Sequence, residues 1–582
     1  MQRFSYLNGL WIEEEHSKDV VNKIIAEYET SYILSRLLYL VPNLKFEKVA
    51  DFLFPKIKNL MPDPNHLLDM DKAVRRLIRA VNQKEKITIF GDYDVDGATS
   101  SAIIHNYLKS IGVNSEIYIP DRILEGYGPN VEAMKTIANG GTKLLITVDC
   151  GTVAFEPLEV AYDVGMESIV IDHHIGAMEI PKSVAVVNPN RLEETTSLKY
   201  LCGAGVSFLM VVALNSCLRN EGFFAKVKEP NLLDLTPLVA LGTVCDVMNL
   251  EGLNRAFVTT GLQVLSKWNN VGLRALKDVA EVTHLDEYTF GFVFGPCINA
   301  GGRIGEASLG AKLLTEESYD EALKIAQKLY ALNIERRAIE KKMKEEALLD
   351  LEQKDFTSNG FIFVGSESYH QGVIGILASR LKDRYNKPAI VYTQLVGLIK
   401  ASARSVVGID IGSAINKATK SGILLAGGGH AMAGGFTCVN ENISKFENFL
   451  CEEISEKAKK LSQFKIHQYA CEVSISAITM EFYNEIQKLK PFGQGNQKPH
   501  FVIKNVELSF WQKRGDAHLF MVLIDSYGVT LKGIFFGFFE SLTQDVLFEL
   551  ETQKFDVLCE VTLNRWNGAR NLELIVQDIR AG

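Results

Sequence analysis

The sequence predicts a multidomain α/β protein: a parallel sheet covered on both faces, a long connecting helix, a second α/β region, and a small C-terminal β-barrel or sandwich. Three observations carry this. Short β-branched runs alternate with helical stretches between residues 86 and 175, as βαβ units require. Residues 318–352 contain neither Gly nor Pro. From residue 465 onward, short strand-like runs are separated by turn residues. At 582 residues the chain is too long for one hydrophobic core, so three or four domains are expected.

Taken in order, residues 1–85 read as an N-terminal helical region. VVNKIIAEYETSYILSRLLYL at 20–40 and MDKAVRRLIRAVNQ at 70–83 repeat apolar residues at three- and four-residue spacing. ITIF at 87–90 is a strand ending at Gly91, and a helix is expected over Ala98–Ser110. EIYIP at 116–120, KLLITV at 143–148 and SIVI at 168–171 are the next strands, with a helical stretch to Gly165 before the last. After Leu201 the chain is mostly helical. Ser318 to Glu321 fits a capping box, and the stretch it opens would be roughly 50 Å long if wholly helical. That exceeds an ordinary domain interior, so it reads as a connector. FIFVG at 361–365 and PAIVYT at 388–393 then flank the helical VIGILASRLKDRY. This second region reaches the glycine cluster AGGGHAMAGGF at 426–436 and closes with a helix to about Leu461.

Composition excludes several classes. Apolar content of 47% and charged content of 23% are those of a soluble globular protein, and no run of 18 apolar residues suggests a membrane span. The N-terminus lacks the pattern of a signal peptide. Nine scattered cysteines without a C-x-x-C pair suggest neither a zinc site nor a disulfide framework, and fit reduced thiols in the cytoplasm. A net charge of −9 argues against nucleic-acid binding by overall charge, while leaving a local basic groove open.

The chemistry concentrates at strand ends. Asp92, Asp94 and Asp96 lie in GDYDVDG, just past the first strand. Three carboxylates so close repel one another unless a divalent cation turns the repulsion into binding energy. An EF-hand loop would need Glu at position 103, which is Ile. Asp149 ends the KLLITV strand, and Asp172, His173 and His174 follow SIVI directly. In an open parallel sheet these strand ends converge on one crevice. Asp246 ends a further apolar segment, LVALGTVC. Aspartates with one or two imidazoles suit Mn2+ or Mg2+, with Zn2+ as an alternative, better than they suit a metal bound by thiolates. Two such ions sharing a carboxylate can activate a water and stabilise the leaving oxygen of a phosphoester.

GDYDVDG, VDCG and DHH in this order resemble the DHH phosphoesterase superfamily. IPDRILEGYG, VNPN, GPCINAGGRIGEA, NIERRAIE, YHQGVIGILASRL, GGGHAMAGGF and PFGQGNQKP are similar to its bacterial single-strand exonucleases, the RecJ family. The resemblance runs from about Lys86 to the C-terminus. It implies a DHH catalytic domain over 86–311, a connecting helix over 312–354, a DHH-associated substrate-binding domain over 355–462 and an OB-fold β-barrel over 463–582. The implied activity is 5′-to-3′ hydrolysis of single-stranded DNA to 5′-mononucleotides in recombination and repair.

The resemblance also implies roles. Asp94, Asp96, Asp149, His173 and Asp246 would hold two Mn2+ or Mg2+ ions, with Asp149 bridging them and Asp92 as a further ligand. His174 would contact the scissile phosphate, completing the catalytic set, and Asp172 would orient its neighbours. Arg303, Ser402 and Arg404 would bind a terminal 5′-phosphate, with Arg122, His370 and His430 as further substrate contacts. A single-strand-binding protein and a helicase are implied partners of a cytoplasmic, monomeric enzyme with no membrane contact. The sequence departs from the family pattern at Ala401 and Ala403, where glycines are usual, and at Cys150, where Asn is expected. In the C-terminal region Phe501, Phe510, Trp511 and Trp566 are candidates for base stacking, with barrel core as the alternative for each.

Overall fold

The computed structural model describes residues 4–353, 359–461, 465–566 and 569–582. The chain forms two compact units, one of Pro55–Ile454 and one of Met1–Phe54 with Ser455–Gly582.

The first unit is built on a five-stranded parallel sheet. Its strands are β1 (Ile87–Gly91), β2 (Ser115–Tyr118), β3 (Leu144–Val148), β4 (Glu167–Ile171) and β5 (Ala185–Val187), in the spatial order β2-β1-β3-β4-β5. All neighbours run parallel. Alternation decides which helices cover which face. Ile87, Ile89, Leu144, Ile146, Val148, Ile169 and Ile171 share one core with helices α1 (Val95–Ser110), α2 (Gly203–Asn220) and α3 (Thr236–Cys245). Phe90, Leu145, Val170 and Val186 join the opposite core with Met134 and Leu158. The edge strand β5 and the early start of α1 at Val95 go beyond the sequence reading. Helix Met70–Gln83 packs into the first of these cores through Met70, Ala73, Val74 and Leu77.

Chain order reverses between β1 and β3: β2 lies on one side of β1 and β3 on the other. This is the switch point where a doubly wound sheet opens a crevice beyond its carboxyl ends.

Helix α4 (Gly295–Ile304) and a short helix over Leu309–Thr315 precede α5 (Tyr319–Gln353), the long helix expected from the Gly- and Pro-free stretch. Its first half buries Ala322, Ala326 and Leu329 in the core of the parallel sheet. Its second half buries Met343, Ala347 and Leu351 against a second sheet. That sheet orders its strands β9-β10-β8-β7-β6, from β6 (Ile362–Ser366), β7 (Ala389–Gln394), β8 (Leu398–Arg404), β9 (Ala426–His430) and β10 (Ala433–Val439). Only β6 and β7 are parallel to each other. Helix α6 (Ile374–Tyr385) connects them. KASAR at 400–404, without a strand signal of its own in the sequence, forms the end of β8.

The second unit holds a closed barrel. Strands Phe501–Arg514, His518–Ile524, Thr530–Phe535, Ala569–Ala581 and Phe555–Trp566 pair in that order, and Phe501–Arg514 returns to Phe555–Trp566. Three of these run to 12 residues or more, longer than the short strands expected. Helices Lys18–Tyr28 and Tyr32–Leu40 pack Ile24, Leu34, Leu37 and Leu38 into the barrel's core. Between the N-terminus and these helices, Gly9–Glu13 is a strand pairing in parallel with Lys465–Tyr469, where the sequence suggested only helix. Among the described residues, no helix is long and apolar enough to cross a membrane.

Candidate metal centre and phosphate pocket

The three strand-end motifs meet at the switch point. Asp92 follows β1, Asp149 follows β3, and Asp172-His173-His174 follows β4. Asp94 caps α1, its carboxylate accepting from the Gly97 amide at 3.0 Å. Asp96, one turn in, is buried and accepts from the amides of Gly203 (2.6 Å) and Ala204 (2.9 Å) at the start of α2. A helix N-terminus thus supports its charge. Asp246 caps the C-terminal end of α3.

These side chains form three overlapping groups: Asp92, Asp94 and Asp149; Asp96, His173 and Asp246; and Asp149, His173 and His174. Within each, the candidate ligand atoms lie within 4.8 Å of one another. Asp149 joins the carboxylate group to the histidines, with its Oδ1 3.1 Å from His173 Nε2. His173 Nε2 is also 3.5 Å from Asp246 and 3.7 Å from Asp96.

The donor set fits divalent cations. Asp92 Oδ1, Asp149 Oδ1 and His173 Nε2 are buried and find no hydrogen-bond partner among the described residues. Such orphaned groups are costly unless something else satisfies them. Burial and neighbouring carboxylates push Asp92 and Asp149 well above the usual range, and Asp246 up to about 8. Burial lowers the His173 pKa, favouring the neutral imidazole that ligation requires.

Asp172 differs from its neighbours. It accepts from the amides of Thr152, His173 and His174 and from His174 Nδ1 at 2.8 Å. These bonds overcome its burial and hold it below the usual carboxylate range. Burial alone would lower His174, but the bond and charge of Asp172 raise it to about 9. Asn188 Nδ2 donates to the His174 carbonyl and Asn190 Nδ2 to that of His173, so the VNPN segment fastens the histidine loop. Tyr127 was not singled out from IPDRILEGYG. Its hydroxyl donates to the Asp149 carbonyl at 3.2 Å and lies 3.2 Å from His174 Nδ1. The asparagines and Tyr127 fall inside segments that carry the resemblance, which was their only sequence signal.

Cys150 is fully buried, donates to the Val148 carbonyl, and has its pKa pushed well up by burial. Among the described residues it belongs to none of the three ligand groups.

The basic candidates assemble beside the carboxylates. Arg303, at the end of α4, donates to the Gly372 carbonyl at 3.2 Å. Arg404 donates to Ser402 Oγ at 3.1 Å. Arg122 lies over the Tyr93 ring, 4.9 Å from its centroid. None of the three arginines forms an ion pair among the described residues. Burial lowers the pKa of Arg303 to about 10, with Arg122 adding to the effect. Burial, then Arg122, lowers that of Arg404. A Cβ on Gly302, next to Arg303, would lie 2.8 Å from the carbonyl oxygen of Tyr93, which sits between Asp92 and Asp94, and Arg122 covers the Tyr93 ring, so arginines and carboxylates are neighbours. Unpaired guanidinium groups in this arrangement suit a phosphate.

His370 Nδ1 accepts from the Gly372 amide, which places it beside Arg303. His430 is exposed and lies in one row with Ala433 and Arg404 across the second sheet. Ala401 and Ala403 point their methyls into the buried face of β8, opposite Ser402 and Arg404. The two departures from glycine are therefore absorbed by the core. In the barrel Phe501 is core and Phe510 is exposed, while Trp511 Nε1 donates to Glu551. The Trp566 side chain lies outside the described residues.

Comparison with known proteins gives concordant matches. Residues 86–243 match the DHH family N-terminal domain, 358–460 the DHHA1 domain and 469–578 the RecJ OB domain. The chain is 32% identical to the single-stranded-DNA-specific exonuclease RecJ of Bacillus subtilis, over 98% of this chain and 70% of that protein. It is 32% identical to the Escherichia coli enzyme of the same name, over 90% of this chain and 92% of that one. The crystal structure of RecJ in complex with Mn2+ from Thermus thermophilus superposes with a TM-score of 0.82 at 25% identity, covering 99% of this chain and 80% of that one.

Proposed function

The chain belongs to the RecJ family of single-stranded-DNA-specific exonucleases, and we propose that it shortens single-stranded DNA from the 5′ end, releasing 5′-mononucleotides, in DNA recombination and repair. The observation that carries this reading is the nearness of Arg303 and Arg122 to a carboxylate and histidine cluster in which Asp92 Oδ1, Asp149 Oδ1 and His173 Nε2 find no partner among the described residues.

Asp92, Asp94, Asp96, Asp149, His173 and Asp246 would hold two divalent cations, Mn2+ or Mg2+, with Asp149 common to both. When bound, such ions activate a water and neutralise charge on the phosphodiester oxygens. His174, kept protonated by Asp172, donates to an oxygen of the scissile phosphate. Arg303, Arg404 and Ser402 grip the terminal 5′-phosphate in a bidentate fashion that fixes polarity. Arg122, His370 and His430 line the path of the adjoining nucleotide. The barrel offers the strand a second surface, with Phe510 as a stacking residue.

The domain limits that fit this reading are 86–311, 312–354, 355–462 and 463–582. The same reading makes the protein a cytoplasmic monomer supplied by a helicase and a single-strand-binding protein. An end-labelling assay tests it. With Mn2+ or Mg2+, 5′-labelled single strands should yield labelled mononucleotide at once, whereas duplex DNA and EDTA-treated samples should yield none. Hydrolysis of cyclic dinucleotides without attack on long strands would overturn it.

A further inference from the structure

The segment NIERRAIE, Asn333 to Glu340 on α5, is absorbed by none of the roles above. Asn333 and Arg336 are buried, at 2% and 8% exposure, where α5 passes from one sheet's core to the other's. With Glu340, they continue the stripe of Leu329 and Met343 at three- and four-residue spacing. Polar groups in a core-facing stripe are costly unless satisfied, and here they are joined end to end. Asn333 Nδ2 donates to Cys297 Sγ on α4 at 3.5 Å. Asn333 Oδ1 accepts from Arg336 Nε and Nη2 at 3.2 and 2.9 Å. Arg336 Nη1 donates to Glu340 Oε2 at 2.9 Å, and Arg380 Nε on α6 donates to Glu340 Oε1 at 2.9 Å.

Both ends of this chain lead to the phosphate pocket. Helix α4 carries Arg303 six residues beyond Cys297. Helix α6 begins beside the other half: a Cβ on Gly375 would lie 3.1 Å from Ser402 Oγ and 3.3 Å from Arg404 Nη2. The two halves also touch directly, where a Cβ on Gly372 would fall on the Arg303 carbonyl oxygen. The pocket is therefore split between two sheets and held at two places.

We propose that Asn333, Arg336 and Glu340 are positioning residues that lock the second sheet against α4. On the reading given under Proposed function, they set the span from terminal phosphate to metal centre, and hence the release of single nucleotides. An apolar seam would permit sliding along α5, whereas directional hydrogen bonds admit one register. None of the three residues need touch substrate.

The test uses the full chain with Mn2+, on single strands bearing a 5′-phosphate or a 5′-hydroxyl, with products sized on a gel. Glu340→Gln cuts both ion pairs. It should raise KM on the 5′-phosphorylated strand by about tenfold or more, since small misplacements are costly. It should leave kcat within about threefold, because the metal ligands are untouched. Dinucleotides should appear beside mononucleotides, and KM on the 5′-hydroxyl strand should stay the same. Arg380→Gln removes only the outer link from an exposed side chain, so it should fold and shift both readouts in the same direction by less. Mononucleotide-only products with unchanged phosphate preference in both variants would overturn the proposal. So would equal losses on both substrates tracking a fall in Tm. A wild-type chain that fails to degrade single strands would instead overturn the underlying function, and this proposal with it.

Discussion

Asp149→Asn should stabilise the metal-free protein while abolishing its activity. Asp149 has its Oδ1 orphaned, and its ligand atom lies within 4.8 Å of those of Asp92 and Asp94. At an effective dielectric constant near 20, one pair of like charges at that separation costs about 3.5 kcal/mol. Asn is nearly isosteric and neutral. The backbone here is left-handed (φ 58°), a conformation Asn accepts readily, so the change adds no strain. Relief of one such repulsion should raise the melting temperature in EDTA by roughly 3–6 °C, given the small shift per kcal/mol in a unit this long. The sign depends on pH. A carboxyl raised in the folded state penalises folding as pH rises above its unfolded pKa, so the gain should grow with pH and vanish in acid. Saturating Mn2+ at about 100 times Kd should stabilise the wild type by about 2.7 kcal/mol and the variant far less. Thermal melts with EDTA or Mn2+, between pH 5 and 8, read all three. A variant less stable than wild type in EDTA, or equally stabilised by Mn2+, would refute the reasoning.

Three further outcomes are expected. Asp172→Asn should lower kcat about 10–100-fold, by releasing His174 and the histidine loop, and steady-state kinetics at saturating Mn2+ would show it. Arg404→Lys keeps the charge but loses the planar fork. Preference for 5′-phosphorylated over 5′-hydroxyl strands should then fall about tenfold, read as a ratio of kcat/KM values. The two barrel phenylalanines should separate binding from folding. Phe510→Ala should weaken binding of long strands by about 1–3 kcal/mol in fluorescence titrations and leave Tm unchanged. Phe501→Ala should cost about 3–5 kcal/mol in denaturant unfolding, because that ring is fully buried.

The local elements and the carboxylates and histidines at the strand ends were legible because each depends on neighbours in sequence. ITIF, KLLITV and SIVI are strands by composition, and an Asp at the end of each needs no tertiary knowledge to suggest a cation site. The Gly- and Pro-free stretch announced α5 for the same reason. Strand Gly9–Glu13 was illegible because its partner, Lys465–Tyr469, lies more than 450 residues away. β8 was missed because KASARS has weak strand propensity, and pairing on both sides decides its state. The conformation of the turn after each strand also makes the roles differ among similar residues, since three of the four bonds to Asp172 come from His173 and His174 beside it. Asp172 and Asp149 both follow a parallel strand, yet one accepts four hydrogen bonds and the other's Oδ1 accepts none. Sequence alone thus determined that strand-end carboxylates and imidazoles would meet in a crevice. The resemblance implied that Asp149 would ligate and Asp172 would orient its neighbours; only the tertiary structure showed the cause, because the turn after each strand and the burial around it leave Asp149 Oδ1 without a partner and satisfy Asp172.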